Sequence, residues 1–185
     1  INLITAHLNK GQNVIGDLGA APFLTSLALA KSGHTVDSFD IAPERFEHLS
    51  AHGINLRKIN LDDWNNTDFE KFDFLILTEV FEHLRGNLIE LMTKMNEALK
   101  PGGQVYLTTP NFRSVTGLFK LLFKKVSYAN AKDLHFEWDK INTIGHMGHV
   151  REYTFHELKT FFNQAGFEIK YAKTYPAKLG AGIRN

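Results

Sequence analysis

Apolar residues recur along this chain with two periods that alternate from one end to the other. Leu3, Ile4, His7 and Leu8 fall on one side of a helix predicted over 2–10, stopped near Gly11 and placed to cap whatever site lies above the sheet. A short apolar run at 13–18 predicts a buried strand. Leu24, Leu27, Ala28 and Leu29 then follow helical spacing from Pro22 to about Ser32, with Gly33 as the stop. Strand 34–40, a helix near 43–52 with Phe46 and Leu49 inward, and strand 54–61 repeat the alternation. The polar stretch DDWNNTDFEKF reads as a loop leading into FDFLILT, a nearly continuous apolar strand of the kind buried on both faces of a parallel sheet. Helix 87–99 carries Leu88, Leu91, Met92, Met95 and Leu99 in register. KPGG breaks it, and QVYLTTP makes a fifth strand. Strands alternating with helices predict an α/β sheet.

Residues 111–152 have another texture. Val115, Leu118, Phe119, Leu122 and Val126 keep helical spacing beside Lys120, Lys124 and Lys125, and the following stretch is rich in aromatics and histidine. This segment reads as a helical lid inserted over the site, its lysines solvated. Regular structure resumes with Thr154 capping the helix FHELKTFFNQAG, followed by a sixth strand, FEIKYAKTY. No repeat or linker divides the chain, so one domain over 1–185 is expected.

Composition narrows the chemistry. The 185 residues carry a formal charge of +1, which argues against a nucleic-acid partner, and the absence of cysteine excludes disulfides, thiolate metal ligands and cysteine nucleophiles. No apolar run is long enough to span a membrane and INLITAHLNKG is not a signal peptide, so a soluble, cytoplasmic chain is expected, although it begins at Ile1 rather than methionine. Oligomeric state is not legible.

The strand-to-helix turn at 12–24, QNVIGDLGAAPFL, has a nucleotide-site layout, because ligands of open α/β sheets sit outside the carboxyl ends of the strands and glycine lets them approach the backbone. An acidic residue is then expected at the end of the second strand, where Asp40 stands. A carboxylate there suits two adjacent hydroxyl donors.

In order and spacing, VIGDLGAAP, FDIAPER, INLDDW, FDFLILTEVFEHL, LKPGGQVYLTTPN and REYTFHELKTFFNQAGFEI resemble the motifs of class I S-adenosylmethionine-dependent methyltransferases of the small-molecule type, over nearly the whole chain. The resemblance implies an α/β, Rossmann-like, doubly wound and mostly parallel sheet flanked by helices, S-adenosylmethionine as cofactor, and methyl transfer to an oxygen or nitrogen of a small molecule. It implies that Gly16, Asp17, Gly19, Ala20 and Ala21 border the methionine half and that Asp40, beside Ile41, takes the ribose hydroxyls. Asn60 and Leu61 would meet adenine, with the Asn60 amide oxygen accepting from the adenine amino group, and Thr78 and Glu79 would close the cofactor site at the end of strand four. The family's seventh strand has only Leu179 to Asn185 left to form it.

Two features qualify the likeness. The family's DxGxGxG motif here has Ala21 and Phe23 at its later glycine positions, so Phe23 either narrows the methionine pocket or turns into the core; Pro22 and the apolar run after it favour the core. E-x-x-E-H at 79–83 resembles the metal site of ubiquinone-pathway O-methyltransferases and small-RNA 2′-O-methyltransferases. On a helical turn Glu79, Glu82 and His83 would face one point and hold Mg²⁺, Mn²⁺ or Zn²⁺, with Mg²⁺ the expected ion. In the alternative Glu79 lies by the cofactor and His83 caps local structure. His83, His135, His146 and His149 are candidate general bases, since an imidazole titrates near neutral pH. RNA methylation, a non-catalytic relative and a nicotinamide dehydrogenase are competing readings, the last weakened because GAAPF does not supply G-x-G-x-x-G.

Overall fold

In the computed structural model, residues 2–8, 10–64, 71–112, 122–123 and 148–175 are described. The apolar runs become β1 (Val14–Leu18), β2 (Thr35–Asp40), β3 (Ile54–Lys58), β4 (Phe72–Thr78) and β5 (Leu99–Thr108). They form a parallel sheet in the order β3-β2-β1-β4-β5. The order reverses between β1 and β4, which opens a crevice at their carboxyl ends.

Both faces are covered, as a doubly wound sheet requires. Ile15, Val36, Ile54, Phe74 and Ile76 point to one face with Phe23, Leu29 and Phe46, the last three from the turn after β1, α2 (Leu24–Lys31) and the 3-10 segment Pro43–His52. Leu18, Phe39, Leu75 and Leu77 point to the other, under α3 (Leu88–Ala98) and α4 (Phe155–Gln164). The period of two along each strand produces this division. Ile4, in the short helix α1 (Asn2–Thr5), joins the first face. Two of the helix starts follow their sequence signals. Asn87 caps α3 by accepting from the Glu90 N–H, and Thr154 with Glu157 forms a reciprocal capping box at α4.

Four expectations are corrected. The first helix spans one turn rather than 2–10. Residues 43–52 are not one α-helix but 3-10 turns joined across Phe46 (φ −125°), whose ring packs on Phe23 at 5.0 Å, so tertiary packing overrides the helical period. KPGG does not separate helix from strand. Leu99 already pairs with Phe72, and the ladder resumes at Phe74 and Gln104, leaving residues 100–103 as an irregularity within β5. Finally, 167–175 alternates like a strand but joins no ladder among the described residues. Its side chains pack elsewhere, Phe167 on Phe162 at 5.6 Å and Tyr171 on His7 at 5.5 Å. The basic helix 113–127, His135, His146 and the 179–185 segment lie outside the described residues, apart from Leu122 and Phe123, both exposed.

Candidate active site

The site begins where β1 ends. Gly16 lies within the strand rather than at its tip, and a Cβ there would stand 2.6 Å from Leu75 Cδ2, so close packing of β1 on its neighbour requires glycine. Asp17 is 2% exposed and accepts from Ser26 Oγ at 2.6 Å. Burial, with a smaller push from Asp40, raises its carboxyl to about 6 despite that hydrogen bond. Gly19 turns the chain with φ +70°, and a Cβ there would meet Val80 Cγ2 at 2.5 Å. The N–H groups of Gly19 and Ala20 both donate to the Phe39 carbonyl, at 2.8 and 2.9 Å, fastening the turn to β2. Phe23 is fully buried. Its ring therefore belongs to the core and not to the crevice.

Asp40 stands half-buried at the end of β2 and joins two loops. Its Oδ2 accepts from the Ala21 N–H and its Oδ1 from the Ala42 N–H, each at 3.1 Å. A carboxylate has about four acceptor sites, so roughly two remain for a ligand. Ile41 beside it is 41% exposed, an apolar surface at the crevice rim. Across the loop after β3, exposed Asn60 caps the 3-10 turn Leu61–Asp63, its Oδ1 accepting from the Asp62 N–H at 3.1 Å. The amide oxygen expected to face adenine is thus partly committed to the backbone, while Nδ2 is left to donate. Leu61 is half-buried behind it.

On the other side of the crevice, β4 ends at Thr78 and Glu79 adopts φ +55°, a left-handed conformation unusual for glutamate. The bend is held by the Glu79 N–H donating to the Thr108 carbonyl at 2.9 Å and by Thr108 Oγ1 donating to Glu79 Oε1 at 2.8 Å. A 3-10 turn, Phe81–His83, follows. Phe81 is buried between Tyr153 and Phe161 and fixes it, while Glu82 is buried to 1% exposure. Thr109 Oγ1 donates to Glu82 Oε2 at 2.8 Å, and burial pushes the Glu82 carboxyl up.

The described chain resumes at Gly148 beside this turn. Asn111 bridges Tyr153, and the Val150 and Arg151 N–H groups donate to the Glu82 carbonyl at 2.7 and 3.2 Å. These bonds set the His149 ring 5.0 Å from that of His83, edge to face. Nε2 of His83 and of His149 lie 3.8 and 3.9 Å from Glu82 Oε1, and His149 Nδ1 lies 3.3 Å from Glu152 Oε1. Glu82, His83 and His149 are accordingly the one group of three ligand-type side chains whose donor atoms converge among the described residues. Glu79 is not part of it, since its carboxylate turns to Thr108. The E-x-x-E-H spacing suggested otherwise because it assumed a helical turn beginning at Glu79, where the backbone is left-handed instead. Thr108, Thr109 and Glu152 were not singled out in the sequence. Their signals were slight: two threonines at a strand end, and a glutamate three residues after a histidine.

An open cleft of about 1650 Å³ borders Glu79, Thr108, Thr109, His149 and Glu152 and continues along β5. Asp40, Ala20 and Asn60 do not line it, so the crevice has two faces, one at the ends of β1 and β2 and the other at the ends of β4 and β5.

A parallel sheet with this reversal point, a glycine turn after β1 and an acid at the end of β2 defines a Rossmann-like nucleotide-site domain. The chain belongs to the methyltransferase domain family, whose sequence profile matches residues 3–172. It is similar to the ubiquinone biosynthesis O-methyltransferase of Xanthomonas oryzae pv. oryzae, 26% identical over 117 residues, which are 60% of this chain and 48% of that one. The mitochondrial enzyme of that name from Rattus norvegicus is 26% identical over 134 residues, 67% of this chain and 38% of that protein. The chain thus spans half or less of the length of these relatives. In fold it resembles an S-adenosylmethionine-dependent methyltransferase from Mesorhizobium loti, with TM-score 0.66, 18% identity and coverage of 92% and 81%. A second such structure, from Methanosarcina mazei, gives TM-score 0.61, 19% identity and coverage of 92% and 86%.

Proposed function

We propose that this chain transfers a methyl group from S-adenosylmethionine to an oxygen or nitrogen of a small molecule, with oxygen favoured by the ubiquinone biosynthesis O-methyltransferases it resembles. The observation that carries the reading is Asp40. Two loop amides orient its carboxylate and leave an acceptor on each oxygen, which fits a ribose diol. The turn through Gly19, Ala20 and Ala21 would border the methionine half, over Gly16 and the buried Asp17. Ile41 and Leu61 would flank adenine, with Asn60 donating through Nδ2, and Thr78 and Glu79 would close the far side.

The cofactor supplies a methyl group already activated by its sulfonium, so the protein's share is alignment, exclusion of water and removal of a proton from the acceptor. His149 suits that last role best, because it lines the cleft and Glu152 faces its Nδ1, orienting the ring. His83 lies deeper. An expected Mg²⁺ on Glu79, Glu82 and His83 does not fit the residues, because Glu79 is engaged by Thr108.

Calorimetric titration of S-adenosylmethionine and its demethylated product tests the reading. Binding of both is expected, weakened at least ~10-fold in Asp40→Ala, as loss of hydrogen bonds to a charged acceptor implies. No binding by the unaltered chain would overturn it.

A further inference from the structure

We infer that Asp62 is a positioning residue of the cofactor site: its carboxylate clasps the loop after β3 to the segment that follows the turn at the end of β4, and so holds Asn60 and Leu61 in place for adenine. The inference rests on the proposed S-adenosylmethionine site and adds to it a residue that acts through Asn60 and Leu61.

The loop is fixed at both ends and in the middle. At its near end the Ile59 N–H donates to the Asp40 carbonyl at 2.9 Å. At its far end Trp64 is buried, and its carbonyl accepts from Lys94 Nζ on α3. Asn60, exposed, and Leu61, half-buried, lie between these anchors, and there Asp62 supplies the hold. Its Oδ1 accepts from two consecutive backbone N–H groups, that of Arg85 at 2.6 Å and that of Gly86 at 2.8 Å. An ionised acceptor makes such bonds stronger than those between neutral groups. The Asp62 N–H in turn donates to Asn60 Oδ1 at 3.1 Å, so one residue sets both the Asn60 side chain and the place of the loop.

The main chains touch as well. A Cβ on Gly86 would stand 2.7 Å from the Asp62 carbonyl oxygen and 3.1 Å from its Cα, so close approach of two backbones requires glycine at 86. The Arg85 side chain adds little, since its Nε is 3.9 Å from Asp62 Oδ2 and it is 42% exposed. Residues 85 and 86 are themselves well placed. They follow Phe81 and Leu84, both buried in the core cluster of that sheet face, and precede Asn87, the cap of α3. The clasp thus ties the adenine side of the crevice to a part of the chain anchored in the core.

Without it, the ligand itself has to order the loop. Apparent affinity then falls with the fraction of molecules in which the loop already stands in place, and a fraction of about one-tenth raises Kd ~10-fold.

Calorimetric titration of S-adenosylhomocysteine into the full chain, well below its Tm, tests the inference, because a general loss of stability leaves the affinity of the folded chain unchanged. Asp62→Ala should raise Kd ~10-fold. Asp62→Asn keeps an oxygen for both N–H groups and should stay within about threefold of the unaltered chain. Gly86→Ala presses on the same contact from the other side and should weaken binding too. Because Asp62 acts through the loop that carries Asn60, the losses in Asp62→Ala and Asn60→Ala should not add in the double variant. Unchanged affinity in Asp62→Ala, an equal loss in Asp62→Asn, or fully additive losses would overturn the inference and leave the methyltransferase reading standing. Absence of binding by the unaltered chain would instead overturn that reading, and this inference with it.

Discussion

Asp17 shows how much one residue's setting matters. Its carboxyl is ionised in the unfolded chain above an ordinary value of 3.8 but is raised to about 6 in the fold, chiefly by burial. The folded state therefore holds the proton more tightly. Stability falls as pH rises through that interval, and the full cost, about 3 kcal/mol, is present above pH 6. Asp17→Asn keeps an oxygen to accept from Ser26 Oγ and removes the charge. Urea unfolding at pH 7 should find the variant more stable by up to ~3 kcal/mol, with the advantage shrinking toward pH 4. A difference independent of pH would show that the carboxylate is not under this strain. Such a destabilising charge beside the glycine turn fits a functional crevice better than a structural core.

At the scale of elements, the turn after β1 and the start of α4 make opposite demands. Gly19 combines φ +70° with a Cβ position 2.5 Å from Val80, so Gly19→Ala strains the backbone and pushes Val80 away from the turn. Thermal unfolding should show a loss of about 1–3 kcal/mol, with weaker cofactor binding in the same variant. Thr154→Ala removes a capping box at a helix that packs on α3, and about 1 kcal/mol should be lost. Cofactor affinity should not change, because α4 lies on the sheet face away from the turn. That contrast, read by paired melting and titration, separates damage to the scaffold from damage to the crevice.

For the molecule as a whole, the crevice gathers the loops that follow β1, β2 and β4, so a ligand bridging them should stabilise the entire fold. Saturation at 100 times Kd adds about 2.7 kcal/mol, which should appear as a rise in Tm of several degrees on adding S-adenosylmethionine. Asp40→Ala, binding ~10-fold more weakly, should lose roughly half of that rise at the same cofactor concentration. Among the described residues no helix is long and apolar enough to cross a membrane.

Much of this was legible in the chain. Parallel strands betray themselves by continuous apolar runs such as FDFLILT, and helices by period and cap, so β1 to β5, α3 and the Thr154 start of α4 were readable locally. The place of Asp40 at the end of the second strand was readable in the same way. The sequence could also offer two fates for Phe23, and only burial against Phe46 chose between them. Local pattern failed where a neighbour decides. Residues 167–175 alternate like a strand yet join no ladder among the described residues, and 43–52 has a helical period broken at Phe46.

The chain by itself thus determined the order of elements, the glycine turn and the acid at the end of β2, because periodicity, capping and backbone freedom are properties of a few consecutive residues. Only the tertiary structure decided which side chains meet at the ends of β4 and β5. Glu79 and Glu82 are three residues apart, yet a left-handed backbone at Glu79 sends its carboxylate to Thr108. His149 is 66 residues from His83, yet two hydrogen bonds to the Glu82 carbonyl bring their rings to 5.0 Å. Spacing along the chain could not report either outcome, since both depend on backbone conformation and on contacts between segments distant in sequence.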